Sequence, residues 1–445
     1  MNNFIPIDIF KEIFRFCDFL SKIRYRQVSK FLYSNLHIID FYNIEGKYLL
    51  NLTDNILKNH KFIKCLNAYN NPKIRNVSWM KNLKELDASG YCGINQLGII
   101  ELDLIKLDAF DNPKIQNVSW MKNLKELNAS VGSGIDQMGI QGLDLIKLNA
   151  WNNSNIKDIS WMKNLKELNA SSKSQIDQLG IKGLNLIKMN ISFNSKIRDI
   201  CWMKNLKELI VVGNSGIDQI GIKGLDLIKL NIFDNPNIRD ISWMKNLKEL
   251  DASGTSCGID QMGIKGLDLI KLDAWGNKNI KDVSWMKNLK ELDVSWNSGI
   301  NQVGIIGLDL IKLNTSHNKK IKDVSFMTNL KELYASGSSG IDQNGIKGLD
   351  LNKLYAYDNP KIKDLSWMLN LKELDVSWNS GIDQNGIKGL DLIKLNVSNN
   401  PNIKDVSWML NLKELDASWN SGIDEKAIKG LDLIILNFYG NPKIK

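Results

Sequence analysis

The chain has 445 residues, of which 43% are hydrophobic and 24% are charged, as in soluble folded proteins. This length exceeds the size at which a single hydrophobic core usually stops growing, which argues against one ordinary globular domain. The formal net charge of +9 is spread along the chain and forms no basic cluster, which argues against nucleic acid as a partner.

The cysteines and the apolar segments indicate an intracellular, cytoplasmic protein. The five cysteines are widely spaced and include no C-x-x-C pair, which fits reduced thiols better than a disulfide framework or a zinc site. Asp8, Glu12 and Asp18 interrupt the apolar residues near the N-terminus, so no signal peptide is expected. No apolar run has the length of a membrane span, and a membrane is therefore not expected as a partner.

Residues 1–45 are expected to form a small helical domain. Apolar side chains recur at helical spacing at Ile9, Phe10, Ile13 and Phe14, and Pro6 is suited to the first turn of a helix. Residues 46–62 are expected to form a linker and a capping helix, whose apolar residues are Tyr48, Leu49, Leu52, Ile56 and Leu57.

The first 45 residues also resemble the F-box. Its opening block, L-P-x-E-I-[LI]-x-x-I-F, is matched by Pro6, Asp8, Ile9, Ile13 and Phe14, and its later positions by Leu20, Arg24 or Arg26, Val28, Lys30 and Phe31. Ile5 and Ser29 stand where the pattern has Leu and Cys, and its late Trp is missing. The resemblance implies docking on a Skp1-type adaptor of a cullin ubiquitin ligase, through Pro6, Ile9, Ile13, Phe14 and Leu20. The alternative is a generic helical cap that shields the first repeat.

Residues 63–445 are repetitive. A tryptophan within the phrase S-W-M-K-N-L-K-E-L returns every 41 residues, with one step of 42 between Trp243 and Trp285, and Phe326 replaces it once. A fixed period of this length is typical of repeat architectures, in which each unit buries its apolar face against its neighbours.

Each period contains two related halves of about 20 and 21 residues. The half that begins at Leu104 reads L-x-x-L-x-A-x-x-N-x-x-I-x-x-V, and the half that begins at Leu124 has a Ser/Gly stretch in place of the Asn. We name these Asn-type and Gly-type units, number positions from the first Leu, and count ten and nine of them. The pattern resembles the leucine-rich repeat. This resemblance implies an α/β repeat solenoid, a leucine-rich-repeat array with one short parallel strand per 20–21-residue unit, preceded by the helical domain.

The resemblance also places individual positions within a unit. Positions 1, 4 and 6 point inward, and the Asn at position 9, for example Asn112, is expected to satisfy backbone groups at the turn. The next apolar residues lie three apart, which favours an extended or 3₁₀-like return path on the convex side. The period tryptophans, Trp79 to Trp408, are expected to form a structural spine on that path.

Positions 3, 5 and 7 are expected to face solvent on the concave sheet, because side chains alternate along a strand. Position 3 is Glu in the Gly-type units and Lys in eight Asn-type units. This alternation predicts a ladder of opposite charges that fixes strand register, and a binding stripe is the alternative. Position 5 is mostly Asn or Asp. Three consecutive carboxylates, Asp251, Asp273 and Asp293, have no accompanying ligand set, so no metal site is predicted.

Position 7 of the Asn-type units is aromatic in seven of ten cases, and Trp296, Trp378 and Trp419 follow at position 8 of Gly-type units. A solvent-facing aromatic row often marks a protein interface. The alternative is that the rings cover small serines of adjacent units, such as Ser89, Ser130 and Ser253. The residues predicted to bind a partner on the concave face are Tyr69, Phe110, Trp151, Phe233, Trp275, Tyr357, Trp378, Trp419 and Tyr439.

These features predict a non-catalytic protein-interaction protein. The chain resembles F-box/leucine-rich-repeat proteins, including those of giant DNA viruses of amoebae, which implies that the N-terminus holds the adaptor while the concave face holds an unknown target protein for ubiquitination. In a viral protein this would occur in the host cell cytoplasm. The alternative is a leucine-rich-repeat scaffold or binding module with no ubiquitin-ligase role.

No enzyme activity and no cofactor are predicted. The three histidines, His37, His60 and His317, are scattered, and no nucleophile or phosphate-loop motif accompanies them. The sequence ends within a unit without a polar cap, which predicts fraying or end-to-end self-association.

Overall fold

A computed structural model describes residues 7–44 and 46–444. The chain divides into two compact units, which are Met1–Ile210 with Ser215–Leu225, and Val211–Asn214 with Asp226–Lys445.

Three helices open the first unit, as the apolar spacing predicts, and they are α1 (Ile7–Phe16), α2 (Phe19–Gln27) and α3 (Lys30–Asn35). Side-chain caps fix where the later two begin. Asp18 accepts a hydrogen bond from the backbone N–H of Ser21, and Ser29 accepts one from Leu32. Pro6, the expected helix start, lies outside the described residues.

The linker contains two short helices, α4 (Gly46–Leu49) and α5 (Asp54–Leu57), where one capping helix is expected from the sequence. Thr53 caps α5 by accepting from the N–H of Ile56, and this cap starts a new helix instead of continuing α4. Leu49, Leu52 and Leu57 are buried, whereas Ile56 is exposed.

Among its described residues, the first unit contains one strand before the repeats, β1 (Asp40–Phe41), and eight strands of the repeats. The repeat strands are β2 (Cys65–Asn67), β3 (Glu85–Asp87), β4 (Lys106–Asp108), β5 (Glu126–Asn128), β6 (Lys147–Asn149), β7 (Glu167–Asn169), β8 (Lys188–Asn190) and β9 (Glu208–Ile210).

The second unit contains eleven strands. They are β10 (Lys229–Asn231), β11 (Glu249–Asp251), β12 (Lys271–Asp273), β13 (Glu291–Asp293), β14 (Lys312–Asn314), β15 (Glu332–Tyr334), β16 (Lys353–Tyr355), β17 (Glu373–Asp375), β18 (Lys394–Asn396), β19 (Glu414–Asp416) and β20 (Ile435–Asn437).

Within each of the two compact units, the strands of neighbouring repeats pair in parallel. Their position-4 side chains lie opposite one another, as Leu250 lies opposite Leu272. The nineteen strands β2–β20 match the nineteen predicted repeats, so the predicted leucine-rich-repeat solenoid with a small N-terminal helical region is confirmed. β1, which pairs with β2 through Asp40 and Cys65, was not predicted because it precedes the repeat pattern.

The core consists of the same apolar positions, repeated from one repeat to the next. Positions 1, 4 and 6, for example Leu104, Leu107 and Ala109, are at most 1% exposed. The return path contains turns and four short 3₁₀ helices, all of them in Gly-type units and located at Gln96–Ile99, Val303–Ile305, Asn344–Ile346 and Asn385–Ile387. The predicted inward positions are therefore confirmed except in the last repeat, where Leu436 is half-buried and Phe438 is exposed.

Buried asparagines at position 9 connect successive units. Nδ2 of Asn277 donates to the carbonyl oxygens of Ala252 (2.8 Å) and Ile259 (3.2 Å), and its Oδ1 accepts from the N–H of Asn279 (2.9 Å). One side chain thus satisfies three backbone groups that would otherwise be buried without partners.

Most period tryptophans pack on the return path, as predicted for a structural spine, although Trp79 bonds to Asn76 of its own repeat and Trp367 is exposed. The indole N–H of Trp120 donates to the carbonyl oxygen of Leu102 at 3.1 Å, and Trp408 makes the same bond to Leu390 at 3.0 Å. Each of these two rings is half-buried, and its hydrogen bond links its own repeat to the preceding repeat.

Candidate protein-interaction surface

The position-3 charges form ion pairs between adjacent strands. Lys271 on β12 lies 3.0 Å from Glu291 on β13, and Lys394 on β18 lies 2.8 Å from Glu414 on β19. Each lysine pairs with the glutamate of the following unit, so the charges neutralise one another locally. The predicted ladder is present, and its alternation leaves little net field for a charged ligand.

The position-5 side chains mainly support the backbone. Oδ1 of Asp251 accepts from Ser253 and its Oδ2 accepts from Nδ2 of Asn231, and Asp293 is held by Ser295 and Asn314 in the same way. Among the described residues, no group of three or more His, Cys, Asp or Glu side chains could hold a metal ion.

Asp273 lies between these two carboxylates, on the strand that pairs with both of theirs. Burial, together with the neighbouring charges of Asp293 and Asp251, raises its pKa to about 7, although the N–H of Trp275 donates to it. The carboxyl of Asp273 therefore titrates near neutral pH.

The aromatic positions lie just beyond the strands. Each repeat strand ends at position 5. Position 7 therefore belongs to the turn at that edge of the sheet and not to the face of the sheet. Tyr69, Trp151, Tyr357, Trp378, Trp419 and Tyr439 are exposed there, whereas Phe110, Phe233 and Trp275 are half-buried. Ser89, Ser130 and Ser253, the serines of the alternative interpretation, are buried.

Position 8 has a left-handed backbone in all nineteen repeats, with φ between +25° and +95°. Gly, Asn or Asp, the residues that tolerate this conformation best, occupy twelve of these positions. Trp296, Trp378 and Trp419 occupy it in Gly-type units with φ of 57°, 60° and 57°. These three side chains are 52%, 57% and 53% exposed.

Aromatic rings form a row in the second unit. The Phe233 and Trp275 rings are stacked with centroids 6.1 Å apart, Trp296 meets Trp275 edge-on at 6.4 Å, and His317 lies 4.7 Å from Trp296. A second pair, Trp419 and Tyr439, meets edge-on at 5.2 Å. We call Phe233, Trp275, Trp296, His317, Trp378, Trp419 and Tyr439 the aromatic edge.

Sequence reasoning missed several members of this surface. His317 occupies position 8, where a search for departures from Gly, Asn and Asp would have found it. Tyr334 and Tyr355 replace the usual Asn or Asp at position 5 and stack with centroids 4.5 Å apart. The hydroxyl of Tyr355 also donates to Glu373 at 3.0 Å.

A second exposed apolar row was also missed. It lies on the return path of six Gly-type units and consists of Leu97, Met138, Leu179, Ile220, Met262 and Val303. These residues follow the Gln of the Gly-type pattern, and the regular recurrence of a large apolar residue after that Gln was the signal for them.

The residues predicted to bind an adaptor are only partly at the surface. Ile9 and Ile13, one helical turn apart on α1, are exposed, whereas Phe14 is buried and Leu20 is half-buried. Phe16, Val28 and Phe31 add exposed apolar area in the same helical region. Pro6 lies outside the described residues.

No protein-family model and no curated protein matches the sequence. Among residues 7–44 and 46–444, no helix combines the length and the apolarity needed to cross a membrane.

Several solved structures are similar to the chain. The TLR13–ssRNA13 complex is 19% identical over 91% of this chain and 65% of that chain, with a TM-score of 0.45. The mouse RP105/MD-1 complex is 15% identical over 91% and 74%, with a TM-score of 0.43. The circular leucine-rich-repeat protein CroV588 is 13% identical over 86% and 67%, with a TM-score of 0.44. The chain thus spans 65% of the first of these proteins, and none of the similarities identifies its partner.

Proposed function

We propose that this chain is a non-catalytic binding protein whose aromatic edge holds a partner protein. The observation that carries the proposal is the placement of three exposed tryptophans at left-handed backbone positions. Such a conformation costs about 1–2 kcal/mol for a residue with a side chain, and glycine avoids that cost at the same position in other Gly-type units. Strained and exposed indoles contribute little to folding, and residues of this kind concentrate at functional sites.

The chemistry of the edge fits a protein partner. Trp and Tyr are the residues that most often dominate the energy of protein interfaces, because they bury a large area with few rotatable bonds. The neutralised charge ladder beside them matches a partner bound by apolar contact in preference to a highly charged ligand.

Proximity labelling in the cell that makes the protein tests this function. The triple variant Trp296→Gly, Trp378→Gly and Trp419→Gly is expected to lose the proteins labelled by the wild type while unfolding at the same temperature or higher. A matched control, Leu369→Ala with Leu410→Ala, removes exposed apolar side chains from the return path and should leave labelling unchanged. Unchanged labelling with the triple variant would reject the aromatic edge as the binding surface.

A second proposal concerns α1. Its exposed Ile9 and Ile13, with Phe16 nearby, form an apolar face that supports docking on a Skp1-type adaptor of a cullin ligase, as the F-box resemblance implies. The protein on the aromatic edge would then be a ubiquitination target, and a host ligase would be redirected if the chain is viral. A scaffold with no ligase role is the competing function.

Binding of purified adaptor separates these two functions. Ile9→Ala with Ile13→Ala is expected to weaken adaptor binding at least about tenfold, since each buried isoleucine contributes on the order of 1–3 kcal/mol. Lys11→Ala, an exposed polar change on the same helix, should have no such effect. If the wild type does not bind the adaptor, the scaffold function stands.

A further inference from the structure

Arg26 is a buried cation in the helical region of the first unit. Its side chain is only 7% exposed, and it is the one charged residue among the buried residues of the described ranges. α2 carries it inward at the last turn of the helix. Burial of a guanidinium without a counter-charge is costly, because the lost hydration must be replaced by partners inside the protein.

Among the described residues, the hydrogen-bond partners of Arg26 are neutral. Nη1 lies 3.2 Å from Nδ1 of His60, and Nη2 donates to the carbonyl oxygen of Tyr33 at 3.3 Å. The guanidinium carbon also lies 4.3 Å from the centre of the Tyr33 ring. Nε is buried and has no hydrogen-bond partner. The Nε–H of Arg26 is therefore a buried donor without an acceptor.

His60 does not compensate this charge. Burial, and then the positive charge of Arg26, lowers its pKa to about 4, so the ring is neutral at pH 7. A neutral ring that accepts from Arg26 at Nδ1 carries its proton at Nε2, so it can donate there. Burial and Arg26 lower the pKa of His37 as well.

These side chains line a cavity of about 300 Å³ together with polar residues and a second cation. The described residues that border it are Arg26, Tyr33, Ser34, His37, Ile38, Asn59, His60, Lys61 and Phe62, and no Asp or Glu is among them. The described part of the lining thus offers two positive charges and several neutral donors, and it contains no carboxylate.

We propose that this cavity binds a small oxyanion of the phosphate class. The unpartnered Nε of Arg26 and the formal charge of +2 from Arg26 and Lys61 match a divalent phosphate better than a singly charged carboxylate. Arginine binds such planar or tetrahedral oxyanions through parallel N–H bonds, which are strong because both partners are charged. The source is either free phosphate or the phosphoryl group of a small monoester. The proposal uses none of the residues of the aromatic edge.

Titration calorimetry of the full chain with inorganic phosphate, at constant ionic strength, tests the site. Saturable one-to-one binding is expected, and acetate at the same concentration should not compete. Lys61→Gln should weaken phosphate binding about threefold to tenfold, whereas the matched control Lys58→Gln, an exposed lysine that does not border the cavity, should bind like the wild type. Phenyl phosphate in a parallel titration distinguishes the sources, because tighter binding than that of phosphate indicates a monoester.

Arg26→Gln is expected to abolish binding. If this variant does not fold, the comparison of Lys61→Gln with Lys58→Gln decides the matter. Absence of saturable phosphate binding by the wild type, equal affinity of the two lysine variants, or equal affinity for acetate would overturn the proposal.

Discussion

At the scale of single residues, folding favours glycine at position 8, whereas three repeats carry a tryptophan there that is available for binding. The left-handed backbone there is imposed by the turn that follows each strand, so a residue without a Cβ fits it with the least strain. Trp378 fills it with a large indole that is 57% exposed. Its removal should therefore affect binding far more than stability.

We predict that Trp378→Gly changes the free energy of unfolding by less than about 1 kcal/mol, because relief of the left-handed strain offsets the added flexibility of glycine. Trp408→Gly, on the return path, should cost at least about 2 kcal/mol, since it removes a half-buried ring and the bond to Leu390. Urea denaturation of both variants measures the difference. Equal losses would show that Trp378 also serves the fold.

Asp273 provides a prediction about pH. Its pKa is raised to about 7 in the folded chain from 3.8, so the folded state holds a proton that the unfolded state has lost between these values. Stability from this group is therefore highest below pH 4 and falls as the pH rises to about 7. Asp273→Asn, which copies Asn231 and Asn314 of the same row, should stabilise the protein by up to about 4 kcal/mol at pH 8 and hardly at all at pH 4. Denaturation curves at the two pH values check this, and a difference that does not depend on pH would contradict it.

At the scale of elements, the charge ladder links three-residue strands that would be too short to fix their register alone. Lys271→Glu places a second carboxylate directly opposite Glu291 and is expected to lower the free energy of unfolding by about 1 kcal/mol. Adding Glu291→Lys should restore about half of that loss. The loss should shrink in 1 M salt, because these side chains are exposed. A double variant no more stable than the single one would show that the pair does not couple.

Some of the strands and helices could be predicted from the sequence, and others could not. The strands of the repeats were predictable because position 4 supplies one inward-pointing Leu in every repeat but that of Met189, and the charges at position 3 set their pairing. β1 has only two residues and no repeat pattern, so its pairing through Asp40 and Cys65 could not be read from the sequence. The break between α4 and α5 depends on the single cap at Thr53. The aromatic residues at position 7 were expected on the face of the sheet, whereas each strand ends at position 5 and they lie in the turn at its edge; His317 was not predicted.

At the scale of the whole molecule, stability should depend on the alternation of the two unit types. Deletion of residues 121–161 removes one complete period and joins Trp120 to Met162, which restores the repeated phrase. The shortened protein should unfold in one cooperative transition, because each repeat keeps a neighbouring repeat of the other type. Deletion of residues 106–125 removes half a period and places Glu85 beside Glu126, so it should unfold at a lower temperature. Calorimetry of both proteins tests this, and equal melting temperatures would show that unit type is irrelevant to stacking.

The repeats, their inward positions, the role of the asparagines and the pairing of charges all follow from the amino-acid pattern. They do so because stacking brings each residue next to its counterpart about 20 residues away, so a local pattern implies the tertiary contacts. Tertiary structure alone decided that Arg26 meets His60, 34 residues away, and that its Nε has no partner. It also decided which rings of the aromatic edge touch. Those contacts depend on irregular chain paths and on side-chain orientation, which no periodicity encodes.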